Sequence, residues 1–342
     1  MVFVTGGTGM VGAHLLYDLV SNGEKVRALK RPGSSIQRTE KIFSYYSSEY
    51  KSLMQNIEWA DGDLLDKDGL LELLKGVDKI YHAAAMVSFD PRERDVMIHN
   101  NIEGTANLAD LALKLQVPRF CHVSSISAIG SPPEGIEANE EHPWRNNLDH
   151  SAYAESKYLS EMEVWRTIFQ GLNAVIVNPS VIVGPGNWKS GSSMLFHTVW
   201  KGLKFYTKGG TGFVDVRDVT KAMRYLMADD VWEDTKNQRY ILNAENMLFR
   251  DFFNQIAFCL HVKQQKYFAG NLLLKLVARL SSVKSQLTGV PATITCDTVR
   301  SANRVSYYDG SKICRTIGFE YTPVEVSIRN NSQLFLKDYG LK

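Results

Sequence analysis

Within its first twenty residues the chain sets a strand, a glycine turn and a helix in immediate succession. Met1-Val2-Phe3-Val4 is a short apolar run suited to a buried parallel strand, and Met10 to Val20 carries apolar residues at helical spacing. Between them stands Thr5-Gly6-Gly7-Thr8-Gly9-Met10-Val11-Gly12. Glycines here allow positive φ and close backbone approach, so a pyrophosphate can rest on the first amides of the helix, while Gly12 lets that helix pack on the sheet. The motif fits in two registers, Gly7, Gly9, Gly12 and Gly6, Gly9, Gly12. Gly6, Thr8, Gly9, Met10, Val11 and Gly12 are therefore candidate dinucleotide contacts. An ordinary tight turn between strand and helix is the plain alternative.

A second element turns this into a prediction about chemistry. Tyr153-Ala154-Glu155-Ser156-Lys157 sets a tyrosine and a lysine four residues apart, on one face of a helix and about 5–6 Å apart at Cβ. An ammonium near a phenol favours the phenolate, so Tyr153 is expected to have its pKa, ordinarily about 10, lowered toward working pH. It can then exchange a proton with a substrate oxygen while a hydride moves to or from a nicotinamide. Ser125, in Val123-Ser124-Ser125-Ile126-Ser127 at the end of a strand, is the candidate that orients the same oxygen. Ser124 and Ser127 are held in reserve, because a register shift of one residue turns a strand's side chains to the opposite face. Lys157 is also expected to hold the nicotinamide ribose. Tyr-x-x-x-Lys pairs arise often on amphipathic helices; the order of glycine turn, serine and pair is what carries the assignment.

The cofactor type is sought after the second strand, in Lys25-Val26-Arg27-Ala28-Leu29-Lys30-Arg31. An acid there would take the adenosine ribose hydroxyls, whereas cations would take a 2′-phosphate. No acid is present. Arg31, with Lys30 beside it and Arg38 a loop further on, predicts NADP(H) in preference to NAD(H). Solvated loop charges are the competing reading.

At 342 residues the chain can bury a large core and has room for a doubly wound domain with a smaller lobe. A formal charge of +2 offers no electrostatic reason to expect nucleic acid. Cys121, Cys259, Cys296 and Cys314 are far apart and lack metal-ligand spacing, so no metal site or disulfide framework is expected and reduced thiols in a cytoplasmic enzyme fit. The first strand begins at residue 2, so no signal or transit peptide is expected. Leu272 to Leu280 is the strongest apolar stretch but is broken by Lys275 and Arg279. It is read as a core or lid helix, with a membrane-surface helix as the alternative and no membrane span.

Strands and helices alternate as far as Pro179. The strands Ile57 to Ala60, Asp78 to His82, Arg119 to Val123 and Ala174 to Asn178 are separated by helices, among them long ones near Arg92–Leu115 and Ser151–Gln170. This predicts an α/β fold: a Rossmann-type doubly wound parallel sheet with a smaller C-terminal α/β substrate lobe. Residues 1–182 and 213–243 are assigned to the dinucleotide-binding domain, and residues 183–212 and 244–342 to the lobe. The substrate pocket is expected between 84–89 and 183–205, lined by Met86, Phe89, Trp188, Met194, Phe196 and Phe205, though aromatics in such numbers also build cores.

These motifs resemble the extended short-chain dehydrogenases/reductases, in particular the dihydroflavonol 4-reductase-like branch and the bacterial relatives grouped as NAD-dependent epimerase/dehydratases. The resemblance runs over nearly the whole chain. It implies adenine contacts from Asp63 and Leu64, a nicotinamide-side loop at Ala83, Ala84 and Ala85 after His82, a helix asparagine at Asn101, and cofactor contacts from Ser124, Asn178, Pro179, Ser180, Val181 and Val183, beside Tyr153 and Lys157. It also matches Arg31 to the position that meets the 2′-phosphate, Gly212 to Val219 to the return into the cofactor domain, and Asp309 to Phe319 to the C-terminal signature. In two places the chain departs. Nucleotide-sugar epimerases show an Arg-Asp-aromatic-x-His-Val-Asp pattern where this chain has Thr211 to Asp218, without the clamp arginine and the histidine. The segment Ser34 to Gln55 is longer than the family's and reads as an extra surface helix.

The leading expectation is thus an NADP(H)-dependent reductase of a ketone or aldehyde. The alternatives are a nucleotide-sugar epimerase or dehydratase that retains its cofactor, with Arg250, Arg300 or Arg304 on the diphosphate, and a non-catalytic NADP-sensing protein, disfavoured by the intact Ser125, Tyr153 and Lys157. Relatives commonly pair through the two long helices, which implies a homodimer.

Overall fold

Apolar runs that alternate between two buried faces build the centre of the molecule. The computed structural model describes residues 1–88, 90–130, 132, 133, 135–145, 150–270, 274, 279 and 296–341. In chain order the elements are β1 (Val2–Thr5), α1 (Met10–Ser21), β2 (Val26–Lys30), α2 (Gln37–Tyr46), α3 (Tyr50–Met54), β3 (Ile57–Asp61), α4 (Lys67–Leu73), β4 (Lys79–His82), α5 (Arg94–Lys114), β5 (Arg119–Val123), α6 (Ile126–Ile129), β6 (Glu137–Ala138) and α7 (Ala152–Phe169). There follow β7 (Ala174–Pro179), β8 (Val181–Val183), α8 (Met194–Trp200), β9 (Phe205–Tyr206), β10 (Gly210–Asp215), α9 (Val216–Leu226), α10 (Trp232–Thr235), β11 (Gln238–Leu242), β12 (Glu245–Leu248), α11 (Phe249–Cys259), β13 (Tyr267–Phe268), α12 (Cys296–Asn303), β14 (Tyr307–Tyr308), α13 (Ser311–Ile317) and α14 (Val324–Asp338).

Seven strands form one parallel sheet in the order β11-β7-β5-β4-β1-β2-β3. Val2 and Val4 point into one core with Leu15, Leu16 and Leu19 of α1 and Val219 and Met223 of α9. Phe3, between them, points into the other core with Ile80, Phe120, Ile176, Leu108 of α5 and Val164 of α7. Burial on both faces explains strands without polar alternation, and makes this a doubly wound Rossmann-type sheet, as expected. Strand order reverses at β1, between β2 and β4, which opens a crevice at the carboxyl ends of β1 and β4.

The second lobe has its own core of Val183, Phe196, Phe213, Phe252, Ile256, Val324, Ile328 and Phe335, with Phe213 and Phe252 stacked 4.1 Å apart. A three-stranded sheet, β12-β10-β8, underlies it, and the short pairs β13-β9 and β14-β6 flank it. Asp215 caps α9, which returns the chain to the large sheet. No helix among the described residues is long and apolar enough to cross a membrane. Of the stretch Leu272 to Leu280, all but Leu274 and Arg279 lie outside the described residues, as does Phe89.

The segment Ser34 to Gln55 is more than a surface helix. Ile42 and Phe43 of α2 are fully buried, Phe43 lies edge-on to Tyr17 of α1 at 5.3 Å, and Thr39 donates to the Gly7 carbonyl at 2.9 Å. The apolar face of α2 closes the outer side of α1 and braces the glycine turn.

Candidate active site

The turn after β1 is shaped by what its glycines lack. Gly6 has φ +75°, and a Cβ there would stand 2.7 Å from the Ala83 carbonyl and the Ala84 nitrogen, so β1 and the exit of β4 approach closely only with glycine. At Gly12 a Cβ would lie 2.1 Å from the Gly6 oxygen, which seats α1 directly on the turn. The Gly6 carbonyl accepts from Gly9 at 2.8 Å. Gly9 begins α1 without a side-chain cap, and the helix's first amides, at Met10, Val11 and Gly12, have no intrahelical acceptor. With Thr8 beside them, half-buried, these amides are donors of the kind that receive an anion at a helix N-terminus.

A histidine relay fixes the neighbouring loop. The ring of His82 lies between Thr5 Oγ1, 2.7 Å from Nδ1, and Thr105 Oγ1, 2.9 Å from Nε2. Thr105 gives its own proton to the Asn101 carbonyl at 2.7 Å, so its oxygen accepts from Nε2–H; Nδ1 then accepts from Thr5, whose oxygen takes the Ala84 N–H at 3.2 Å. Burial, helped by the charge of Lys157, pulls the His82 pKa down to about 3, which keeps the ring neutral for this arrangement. Asn101 binds both main-chain groups of Met86, accepting from its N–H at 2.7 Å and donating to its carbonyl at 2.9 Å. Its amide also reaches Ser156 Oγ at 3.2 Å. Asn101 thereby shapes the loop Ala83-Ala84-Ala85, on which Ala85 is exposed.

Ser125, two residues past β5 and in extended conformation, caps α6 and accepts from the Ser127 N–H at 3.1 Å. Its hydroxyl is hydrogen-bonded to the Tyr153 phenol. Tyr153 stands in the first turn of α7, which begins where Ser151 caps the Ala154 N–H at 3.1 Å. Lys157, one turn on and 3% exposed, donates to the Val123 carbonyl at 2.7 Å. The two neighbouring serines are now separated: Ser125 faces Tyr153, whereas Ser124 turns inward and donates to Glu161 at 2.6 Å. The Ser124 hydroxyl thus points into the protein rather than toward the crevice.

One electrostatic expectation is overturned. Burial pushes the Tyr153 phenol above its ordinary value, and Ser125, not Lys157, is the group that opposes the rise. Burial also pulls Lys157 down to about 8, against the charge of Glu161. The ammonium is directed at the Val123 carbonyl, so desolvation outweighs the charge attraction that helical spacing alone suggests.

At the far end of the crevice the three cations separate. Lys30 is paired with Asp61, its register partner on β3, and is not available as part of a free cationic cluster. Arg38, on α2, reaches the Thr8 carbonyl at 3.5 Å. Arg31 is exposed, and its guanidinium has no ion pair or hydrogen bond among the described residues. Asp63 caps its own turn at the Leu65 N–H, 2.9 Å, and the Leu64 carbonyl is held by Asn107 at 3.0 Å. Beyond β7, Ser180 donates its N–H to Leu242 at 2.9 Å between Pro179 and Val181, which bridge into β8.

The expected aromatic roof is not built as foreseen. Trp188 and Phe196 are buried in the second core, where Trp188 packs edge-on against both Phe196 and Phe335, and Phe205 is 47% exposed on β9. Large rings read alike in a pocket and in a core, and here core burial prevailed. The approach to the turn is made instead by small residues: Ser193 Oγ lies 3.5 Å from the Met10 sulfur, and a Cβ on Gly186 would sit 3.6 Å from it. Two groups went unnoticed in the sequence, Asp338 and Glu161. Glu161 continues the four-residue spacing of Tyr153 and Lys157, and that third step was the available signal.

Comparison with known proteins agrees with this geometry. Residues 2–240 match the model of the NAD dependent epimerase/dehydratase family. The chain is 29% identical over 333 residues to a putative dihydroflavonol 4-reductase of Synechocystis sp., covering 95% of this chain and 92% of the relative. It is 33% identical over 251 residues to sterol demethylase protein B of Methylococcus capsulatus, covering 71% and 69%. The crystal structure of gox2253 superposes with a TM-score of 0.80 at 28% identity over 100% and 99% of the two chains. That of WbmH from Bordetella bronchiseptica with NAD+ superposes at 0.73 and 19% identity over 99% of each, a likeness of fold. With a glycine cradle at the switch point and Ser125, Tyr153 and Lys157 beside it, this NAD(P)-dependent enzyme of the oxidoreductase type belongs to the NAD dependent epimerase/dehydratase family.

Proposed function

We propose that the protein is an NADP(H)-dependent reductase of a ketone or aldehyde, similar in chemistry to the dihydroflavonol 4-reductase-like branch. The observation that carries this reading is the Ser125 hydroxyl bonded to the Tyr153 phenol, with Lys157 one turn below and the glycine cradle across the crevice. Gly6, Gly9 and the first amides of α1 would hold a dinucleotide, which would supply or receive the hydride. Ser125 orients the substrate oxygen and stabilises its developing charge, and Tyr153, kept protonated by burial, delivers its proton to that oxygen. Lys157 stands ready to turn from the Val123 carbonyl toward the ribose and the phenol. Arg31 and Arg38 are the groups offered to a 2′-phosphate, and the lobe of residues 183–212 and 244–342 receives the substrate. The relative named as a reductase, matched over nearly its full length, supports the same reading. Paired copies meet through α5 and α7, whose exposed faces are bridged by Arg94–Glu155 and Arg166–Asp110.

A second reading, a nucleotide-sugar epimerase or dehydratase with retained NAD(H), is favoured by the family's own description and by the NAD+ held in WbmH. Against it, the segment Thr211 to Asp218 has neither clamp arginine nor histidine, and Arg304 donates to the Pro132 carbonyl. Titration of the purified protein with NADPH and NADH, then NADPH oxidation against aromatic and aliphatic carbonyl compounds with Tyr153→Phe as control, decides between them. NADPH preference with turnover lost in the variant supports the reductase. A cofactor that co-purifies, NADH preference and turnover of nucleotide sugars alone would replace it with the second reading.

A further inference from the structure

Glu161 is fully buried one helical turn past Lys157, on the inner face of α7. Removing a carboxylate from water is costly unless partners replace its hydration. Here four donors do so. Oε2 accepts from Ser124 Oγ at 2.6 Å and from Asn178 Nδ2 at 2.7 Å; Oε1 accepts from the Trp165 indole and from the Arg239 guanidinium, each at 3.2 Å. Of the Oε1 pair, Trp165 lies on α7 itself, and Arg239 on β11 would suffice to anchor α7 to the sheet. The Oε2 pair reaches further, because both donors belong to the strand ends that present Ser125.

Ser124 is the residue before Ser125. Asn178 shares its amide nitrogen between Glu161 and the main-chain oxygen of Ser125, 3.1 Å away. The Asn178 amide oxygen has no partner among the described residues. Nothing on that side decides which way the amide lies. Glu161 decides it: a flipped amide would set one oxygen against the carboxylate and against the Ser125 carbonyl, with no donor for either.

We propose that Glu161 is a positioning residue, which through Ser124 and Asn178 fixes the backbone on which Ser125 meets Tyr153 and places a negative charge one turn from the Lys157 ammonium. This rests on reading Ser125, Tyr153 and Lys157 as the reacting groups. The electrostatics agree, since Glu161 is the group that opposes the lowering of Lys157 by burial. Without the carboxylate, Lys157 loses its proton at lower pH.

The test compares full-length wild type, Glu161→Gln and Trp165→Phe in kcat and KM against pH, with NADPH affinity followed by nucleotide fluorescence. Glu161→Gln is expected to lower kcat about 10- to 100-fold, as small misplacements of a reacting group do, with NADPH affinity kept and the basic limb of the profile moved to lower pH. Trp165→Phe, which removes one Oε1 donor only, leaves kcat and the limb in place. An unchanged limb and kcat in Glu161→Gln overturns the proposal. Should that variant fail to fold for want of a counter-charge to Arg239, Glu161→Gln combined with Arg239→Gln removes both charges and is read by the same two criteria. If wild type reduces no carbonyl compound, the functional reading fails on its own; the titration of Lys157 by nitrogen NMR then tests Glu161 separately, with an unchanged Lys157 titration in Glu161→Gln overturning the proposal and a lower one upholding it.

Discussion

In the seven-stranded half, the groups around the crevice are held at the ends of paired strands; in the second lobe they are held by side chains outside any strand ladder. Thr5 and His82 are register partners on β1 and β4, and Lys157 reaches Val123 at the end of the adjacent β5. By contrast Trp188, on the loop between β8 and α8, is fixed by Asp338 at 2.8 Å, 150 residues on, and Asp338 is held in turn by Tyr45, 293 residues before it, and by Lys41 at 2.7 Å. Parallel pairing places the ends of strands by itself, so chemistry set on strand ends inherits its precision from the sheet. Chemistry set on the second lobe depends on side chains that tie that lobe to α2.

The sharpest way to break this contrast is Tyr153→Phe. Loss of a positioned general acid is expected to lower kcat about 10²- to 10⁴-fold, while NADPH affinity and melting temperature stay near those of wild type. A single substitution in the second lobe that costs as much in kcat with folding intact would show that the reacting groups lie there instead.

Acid should take the two halves apart at different pH. His82 is neutral in the folded protein with its pKa depressed to about 3, below an ordinary value of 6.5. Its contribution is complete above pH 6.5 and is lost as pH falls from there toward 3, a loss on the order of 5 kcal/mol by linkage. Asp338 is held below its ordinary value by Lys41, Tyr45 and Trp188 against burial, so its contribution persists down to the ordinary carboxylate range and is lost only below it. Urea unfolding of wild type and His82→Asn between pH 7.5 and 4 checks this. A variant that retains the full pH slope over that interval would dissociate the relay from the acid sensitivity.

The same contrast explains what was legible beforehand. Glycine turn, strand alternation and the Tyr153–Lys157 spacing are local patterns, and each found its place. Ser125 was separable from Ser124 only once β5 had a register, because the two differ by one residue and opposite faces. Glu161 and the Thr5–His82–Thr105 relay join separate elements, and their meeting depends on sheet order. Trp188 and Phe196 misled because a ring carries no mark that tells a pocket wall from a core. The pKa of Tyr153 went the other way from expectation because spacing reports a neighbour's charge and not the depth of burial.

Cofactor choice sharpens the comparison on the side of the sheet. With Lys30 neutralised by Asp61, Arg31 is the exposed cation at the end of β2. Arg31→Ala should weaken NADPH by about 10- to 100-fold, the worth of a charge-assisted hydrogen bond of about 1.5–3 kcal/mol, and leave NADH unaltered. Equal losses for both cofactors would mean that Arg31 does not meet a 2′-phosphate.

The smallest effect is expected at the tie between the halves. Asp338 joins Lys41 and Tyr45 of α2 to the Trp188 indole, while at the other end of α2 Thr39 holds the Gly7 carbonyl and Arg38 reaches Thr8. One short helix therefore connects the phosphate turn to the loop that passes Met10. Asp338→Ala leaves the indole N–H and the Tyr45 hydroxyl without their acceptor, a cost of about 1–3 kcal/mol in stability. Because Thr39 and Phe43 still seat α2 on α1, NADPH affinity should change little, whereas KM for the carbonyl substrate should rise as the 184–193 loop loosens. The part of the tryptophan emission that is lost in Trp188→Phe, red-shifted as the indole gains water, reports the release. A stability loss without that shift and without a change in KM would make the tie a matter of folding alone and would free the substrate side from α2.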